Sequence, residues 1–108
     1  MLHSRFVIAD VAVGGSRIGI RHGGLIVATR AGSAQLDWEV VIQSIGDASV
    51  TLGTHELHLD CITGANDDGH LTMTRFSGPA LLVRTVGEAL VFRGAGPLDG
   101  FETGMLGD

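Results

Sequence analysis

Apolar and polar residues alternate along most of this chain, and nearly every alternating run stops at a glycine. In the first run, Arg5 to Val13, the residues Val7, Ala9, Val11 and Val13 share one face. In the second, Arg17 to His22, Ile18 and Ile20 alternate with Arg17, Gly19 and Arg21. Leu25 to Arg30 follows, and then the longest run, Leu36 to Ile45, which places Leu36, Trp38, Val40 and Ile42 on one side. The second half is more regular, with runs at Ser49 to Leu52, Leu57 to Thr63, His70 to Phe76, Ala80 to Val86 and Ala89 to Arg93. A period of two predicts β-strands, and these runs predict nine of them.

The gaps carry turn chemistry. Gly14-Gly15-Ser16 turns the first run into the second, and Gly23-Gly24 reads as a two-residue hairpin turn, since glycine reaches positive φ without a steric penalty. The stretch from Ala31 to Gln35 reads as a loop, Gly53-Thr54-His55-Glu56 as a four-residue hairpin loop, and Gly87-Glu88 as a tight hairpin. Pro79 is expected at the start of a strand. Phe76-Ser77-Gly78-Pro79-Ala80 and Gly96-Pro97-Leu98-Asp99-Gly100 read as turns that flank a strand. No segment keeps helical periodicity over three turns; a short helix is open only in the tail or around Gly32 to Leu36.

The prediction is therefore an all-β protein. Nine short strands cannot stay an open sheet, because both faces and both edges need cover. A small antiparallel β-barrel or a two-layer sandwich, of about eight to nine short strands joined by Gly-rich turns, solves both problems. Residues 1–95 form the single expected domain. Residues 96–108 are a Gly-rich tail, expected to be loose or to act as an arm on a partner subunit. Leu25-Ile26-Val27, Val40-Val41-Ile42 and Leu81-Leu82-Val83 are apolar on both faces. That pattern predicts that part of the outer surface is covered, most simply in a homo-oligomer.

At 108 residues the chain is long enough for one core. Its net charge of −5 argues against a nucleic-acid partner. All seven cations are arginine; Arg17 and Arg21, placed on one strand face, are where an anion site of guanidinium forks would start. Cys61, the single cysteine, rules out an internal disulfide framework and reads as a small buried hydrophobe. No secretory signal pattern and no apolar run of membrane-spanning length is present, so the expected location is cytoplasmic and no membrane partner is expected.

The densest polar cluster is Glu56, His58 and Asp60, which alternate with Leu57, Leu59 and Cys61. If the next strand lies beside it, His70, Thr72 and Thr74 join the same patch as candidate ligand-binding residues. A histidine with flanking carboxylates can act as a general base, which makes His58, Asp60 and Glu56 the candidate catalytic residues. The simpler interpretation is the solvated face of a two-faced sheet. A third interpretation inverts the faces, so that His58, Asp60, Thr72 and Thr74 line a barrel interior. His55 and His58 fall on opposite strand faces, so they do not form a strand metal pair; no metal and no cofactor is expected. Asn66-Asp67-Asp68-Gly69 lacks calcium-loop spacing and reads as a turn. Asp10 and Arg84 each interrupt an apolar run, and each needs a partner if its face is buried.

The functional expectation is a non-catalytic module that binds a small apolar ligand or a protein partner. One alternative is a small barrel enzyme of cyclase or isomerase type using the His–carboxylate pair. The other is a structural assembly subunit.

Overall fold

The computed structural model describes residues 2–30, 32, 35–46 and 48–106. Seven strands follow one another: β1 (His3–Val13), β2 (Ser16–Ile18), β3 (Ile20–Thr29), β4 (Leu36–Ser44), β5 (Gly53–Ala65), β6 (Leu71–Val86) and β7 (Ala89–Gly94). A single 3-10 turn, Thr103–Met105, lies in the tail. Six strands close in the order β1, β3, β4, β7, β6, β5 and back to β1, every pair antiparallel. β2 is the extra strand, paired with the last residues of β1. The protein is an all-β barrel, and closure leaves the sheet no long open edge.

The strands are fewer and longer than the alternation predicts, for identifiable reasons. Gly23 and Gly24 form no turn: both lie inside β3, opposite Ile42 and Val41, and neither takes positive φ. Gly53-Thr54-His55-Glu56 is not a hairpin loop but the first part of β5, paired with Leu82 to Pro79. The residues before it, which alternate like a strand, form no regular element; Ala48 and Val50 lean on the core there. Pro79 does not start a strand but sits within the single 16-residue β6. Its carbonyl accepts from the Ala95 amide at 2.8 Å, just past the end of β7. Because a strand residue turns its N–H and C=O to the same side, the missing proline N–H falls where β7 has already stopped.

Two hairpins do follow the predicted chemistry. Gly14 and Gly15 both take positive φ, 58° and 85°, between the paired Val13 and Ser16, as a type I′ turn demands. Gly87 alone takes φ of 59° between Val86 and Ala89, the pattern of type II′. Of the loop expected from Ala31 to Gln35, Ala31, Ser33 and Ala34 lie outside the described residues, as does Asp47 of the Gly46-Asp47 gap.

The apolar face of the alternation points inward. Leu25, Val27, Val40, Ile42, Leu57, Leu59, Cys61, Phe76 and Phe92 are all fully buried, so side chains fill the barrel. In β1 the inward parity changes midway: Ile8 is buried, and then Val11 and Val13. A β-bulge between Ile8 and Asp10 causes the switch by inserting one residue against β5. Ser44 is the one buried polar residue among those described; its hydroxyl lies 2.7 Å from the Gly46 carbonyl and 3.0 Å from that of Glu88.

The tail through residue 106 is neither loose nor an arm reaching away. Ala95 bonds to Pro79, and Asp99 exchanges two backbone bonds with Ser77. Leu98 is buried, and Phe101 stacks edge-on to Phe6 and Phe76 at centroid distances of 6.2 and 5.8 Å. The Ser4 hydroxyl donates to the Met105 carbonyl at 2.7 Å. The last turn thus closes one end of the barrel. Among the described residues no helix is long and apolar enough to cross a membrane.

Candidate functional site

The residues expected to form one patch divide between two faces. β5 and β6 pair Asp60 with Arg75, His58 with Ser77 and Glu56 with Pro79. Even-numbered residues of β5 therefore face odd-numbered residues of β6. Thr72 and Thr74 share the parity of Phe76, the inward one, while Glu56, His58 and Asp60 point outward. Past a bulge between Ile62 and Gly64, Thr72 lies opposite Gly64 at the outer end of the hairpin, and the Thr74 hydroxyl meets that of Thr63 at 2.8 Å. His70 stands in the turn, where the Asn66 side-chain oxygen accepts from the amides of Asp68 and His70. That turn satisfies itself without an ion. The inverted-face arrangement does not occur, because Leu57, Leu59 and Cys61 occupy the interior.

What His58 and Asp60 do meet is a set of groups from β1, β2 and β6. Asp10, Arg17, His58, Asp60 and Arg75 ring a shallow depression of about 200 Å³. Asp10 lies opposite Asp60 in the register, so two carboxylates stand side by side and each is matched by an arginine. Arg75 grips Asp60 with both arms of its guanidinium, at 2.8 and 3.1 Å. Arg17 approaches Asp10 at 3.8 Å. Arg75 holds the Asp60 carboxyl below the ordinary aspartate range. A carboxylate gripped by both arms of a guanidinium is a poor proton acceptor, because the paired charge favours its ionised form. Among the described residues no cluster of three histidine, cysteine or acidic side chains could hold a metal ion.

Arg17 and Arg21 do not start an anion site. Arg17 goes to Asp10, and Arg21, beyond the break between β2 and β3, goes to Glu88 at 3.7 Å. Cys61 is buried beside Leu59, and desolvation pushes its thiol up to about 12, which leaves it protonated and unreactive at neutral pH.

The larger recess lies elsewhere and was not visible in the motifs. β4 pairs with β7 only from Glu39 to Gln43, while β3 accompanies it through Leu36. After Gly94 the chain leaves β4 and crosses to β6. The barrel wall opens between β4 and the tail into a cleft of about 520 Å³ lined by Arg30, Gln35, Leu36, Asp37 and residues 94–98. Trp38 wedges the seam. Its indole N–H donates to the Gly96 carbonyl at 2.9 Å, and its ring lies where any Cβ on Gly94 would fall. A Cβ on Gly78 would collide with the Pro97 carbonyl. Arg30 and Asp37 form a two-armed ion pair on the rim.

The chain matches no known protein family, no curated protein and no solved structure.

The cleft therefore has to be read from its own chemistry. Leu36, Ala95, Pro97 and Leu98 make it partly apolar, and Gln35 with the Arg30–Asp37 pair adds a few polar groups at the mouth. A recess of several hundred Å³ with that mixture is the usual form of a small-ligand or side-chain pocket. The sequence signal that locates it is weak: a tryptophan in an apolar alternation and a Gly-rich segment that resembles a tail.

Proposed function

We propose that this protein is a binding module whose binding site is the cleft between β4 and the tail, and that it takes a small, largely apolar ligand or an apolar side chain of a protein partner there. One observation carries the proposal: β4 runs past the end of β7, so the wall opens between β4 and the tail into the largest of the described recesses. The barrel interior offers no comparable room, since large side chains fill it. The acid–base alternative has less support, because Arg75 occupies both oxygens of Asp60.

Native mass spectrometry of the protein purified without added ligand is the direct test, paired with titration of the apolar dye anilinonaphthalene sulfonate. Trp38 is the single tryptophan, the chain has no tyrosine, and the indole is bonded to Gly96 of the cleft lining, so its emission is expected to respond to an occupant of the cleft. A retained adduct, or dye binding that quenches Trp38, is expected in the native chain and expected to vanish in Ala95→Phe, which fills the recess. Binding that Ala95→Phe leaves unchanged would place the site elsewhere.

A further inference from the structure

The β4 wall of the cleft is a short open sheet edge. In an antiparallel ladder, alternate residues turn both N–H and C=O to the same neighbour. On β4 the even-numbered residues turn them toward β7: the Ser44 amide donates to the Glu88 carbonyl at 2.9 Å, just before β7 begins. Odd-numbered residues turn the other way, and the Ile45 amide donates to the Gly19 carbonyl at 3.0 Å. Leu36 has the parity of Ser44, so its N–H and C=O point to where β7 would continue. The β4–β7 register ends at Glu39 and Arg93, and among the described residues Leu36 is paired only with Thr29 of β3. The tail does not replace β7 there, because it turns to β6. The Ala95 amide donates to Pro79, and Asp99 exchanges two bonds with Ser77. Beyond Gly94, β6 therefore keeps a neighbour and β4 loses one. The strip left open is the cleft, with Leu36 on one side and Ala95, Pro97 and Leu98 on the other.

We propose that the occupant of the cleft is an extended peptide segment of a partner protein, added to the edge of β4 as a short strand opposite Leu36. This rests on the cleft reading above and narrows it. A sheet edge with an unmatched donor and acceptor is a template for another main chain. The peptide residue opposite Leu36 exchanges two backbone bonds with it. Its side chain shares the inward face of Leu36, which packs against the core, and so enters the apolar part of the recess. The peptide residues on either side turn outward, level with Asp37 and its Arg30 partner. The segment that fits carries one apolar residue between polar ones. A small apolar molecule fills the same recess but meets neither the N–H nor the C=O of Leu36.

A random heptapeptide library displayed on phage supplies the probe, selected on the intact chain and counter-selected on Ala95→Phe, with circular dichroism confirming that the variant is folded. Enriched peptides are expected to share one apolar residue between polar ones, and the synthetic peptide should shift Trp38 emission. An ester in place of the amide of that apolar residue removes the donor to the Leu36 carbonyl, and should weaken binding about tenfold. Hydrogen exchange read by NMR should show the Leu36 amide unprotected in the free chain and slowed at least about tenfold by the peptide. A selection that enriches no peptide over Ala95→Phe would overturn the proposal. So would an ester that binds as tightly as the amide, or a Leu36 amide whose exchange the bound peptide does not slow. Dye binding in the cleft separates the two proposals: where it persists beside any of these failures, the cleft stands and the added strand falls, and where it is also absent, both fall.

Discussion

Replacing Gly94 by alanine tests how the seam of the barrel is closed. Gly94 ends β7, and an ideal Cβ there would fall on the Nε1, Cε2 and Cδ1 atoms of Trp38. The indole cannot retreat freely, because its N–H is bonded to Gly96 from the other side. Forcing a methyl into a packed site costs about 1–3 kcal/mol. Displacing the ring leaves the part-buried Gly96 carbonyl without its donor, which costs about 1–3 kcal/mol more. Against this, alanine in a strand recovers about 0.5–1 kcal/mol of backbone entropy relative to glycine. The net expectation is a loss of about 2–4 kcal/mol, a large part of the ~5–15 kcal/mol typical of a domain, and a fall in Tm on the order of 10 °C or more. Urea denaturation followed by circular dichroism measures the loss, and Trp38 emission measures the displacement as a red shift in the folded state. Gly104→Ala is the control: nothing lies within 4 Å of its Cβ position, and the change should be neutral or gain about 0.4–1 kcal/mol. A Gly94→Ala protein with native stability and unshifted emission would mean that the indole does not lie on Gly94, and the account of the cleft would go with it.

Further outcomes follow from single groups. The Asp60 carboxyl is held low in the folded state, so its contribution is present above the unfolded value of about 3.9 and is lost as pH falls through the folded value; Asp60→Asn should therefore flatten the acid limb of the stability curve below about pH 4, read from urea midpoints. Cys61 should resist a disulfide reagent in the native protein and react fully once denatured. Its raised folded value also means that the unfolded chain loses the thiol proton first, so stability should decline as pH rises above about 8.5. His58→Ala should change stability by no more than about 0.5 kcal/mol, as at other surface sites; a larger loss would show that the depression depends on His58. Gly15→Ala places a side chain at φ of 85° and should cost about 1–2 kcal/mol by thermal melting.

The fold class was legible because a two-residue period survives in nearly every strand. The face assignment was legible for the same reason at Leu57, Leu59 and Cys61. Register was not. Whether His58 meets Thr72 or Ser77 depends on where the β5–β6 pairing begins, and a shift of one residue exchanges the faces. Bulges defeat periodicity directly: Val7 and Ala9 share the parity of Val11 and Val13 in the sequence, yet the insertion after Ile8 turns Val7 out, 59 % exposed, and Val11 in. Glycine misled where it permits close approach rather than a turn, as at Gly78 beneath Pro97. The two turn-like segments around Pro79 and Pro97 are in fact each other's packing partners: Ser77 bonds to Asp99, and Gly96 lies against the Pro79 ring. Such pairing depends on residues far apart in sequence, which no local pattern encodes.

The contact between Ser4 and Met105 brings the beginning of β1 to the last turn of the tail. Thr29 and Leu2 tie the same corner to β3. The first and last described stretches thus hold each other at one corner, while the Asn66–Gly69 turn at the far end of the β5–β6 hairpin is exposed and takes no part in the core. A single backbone cut at that turn leaves every strand intact, so the two pieces are expected to stay assembled through the β5–β6 and β4–β7 pairings.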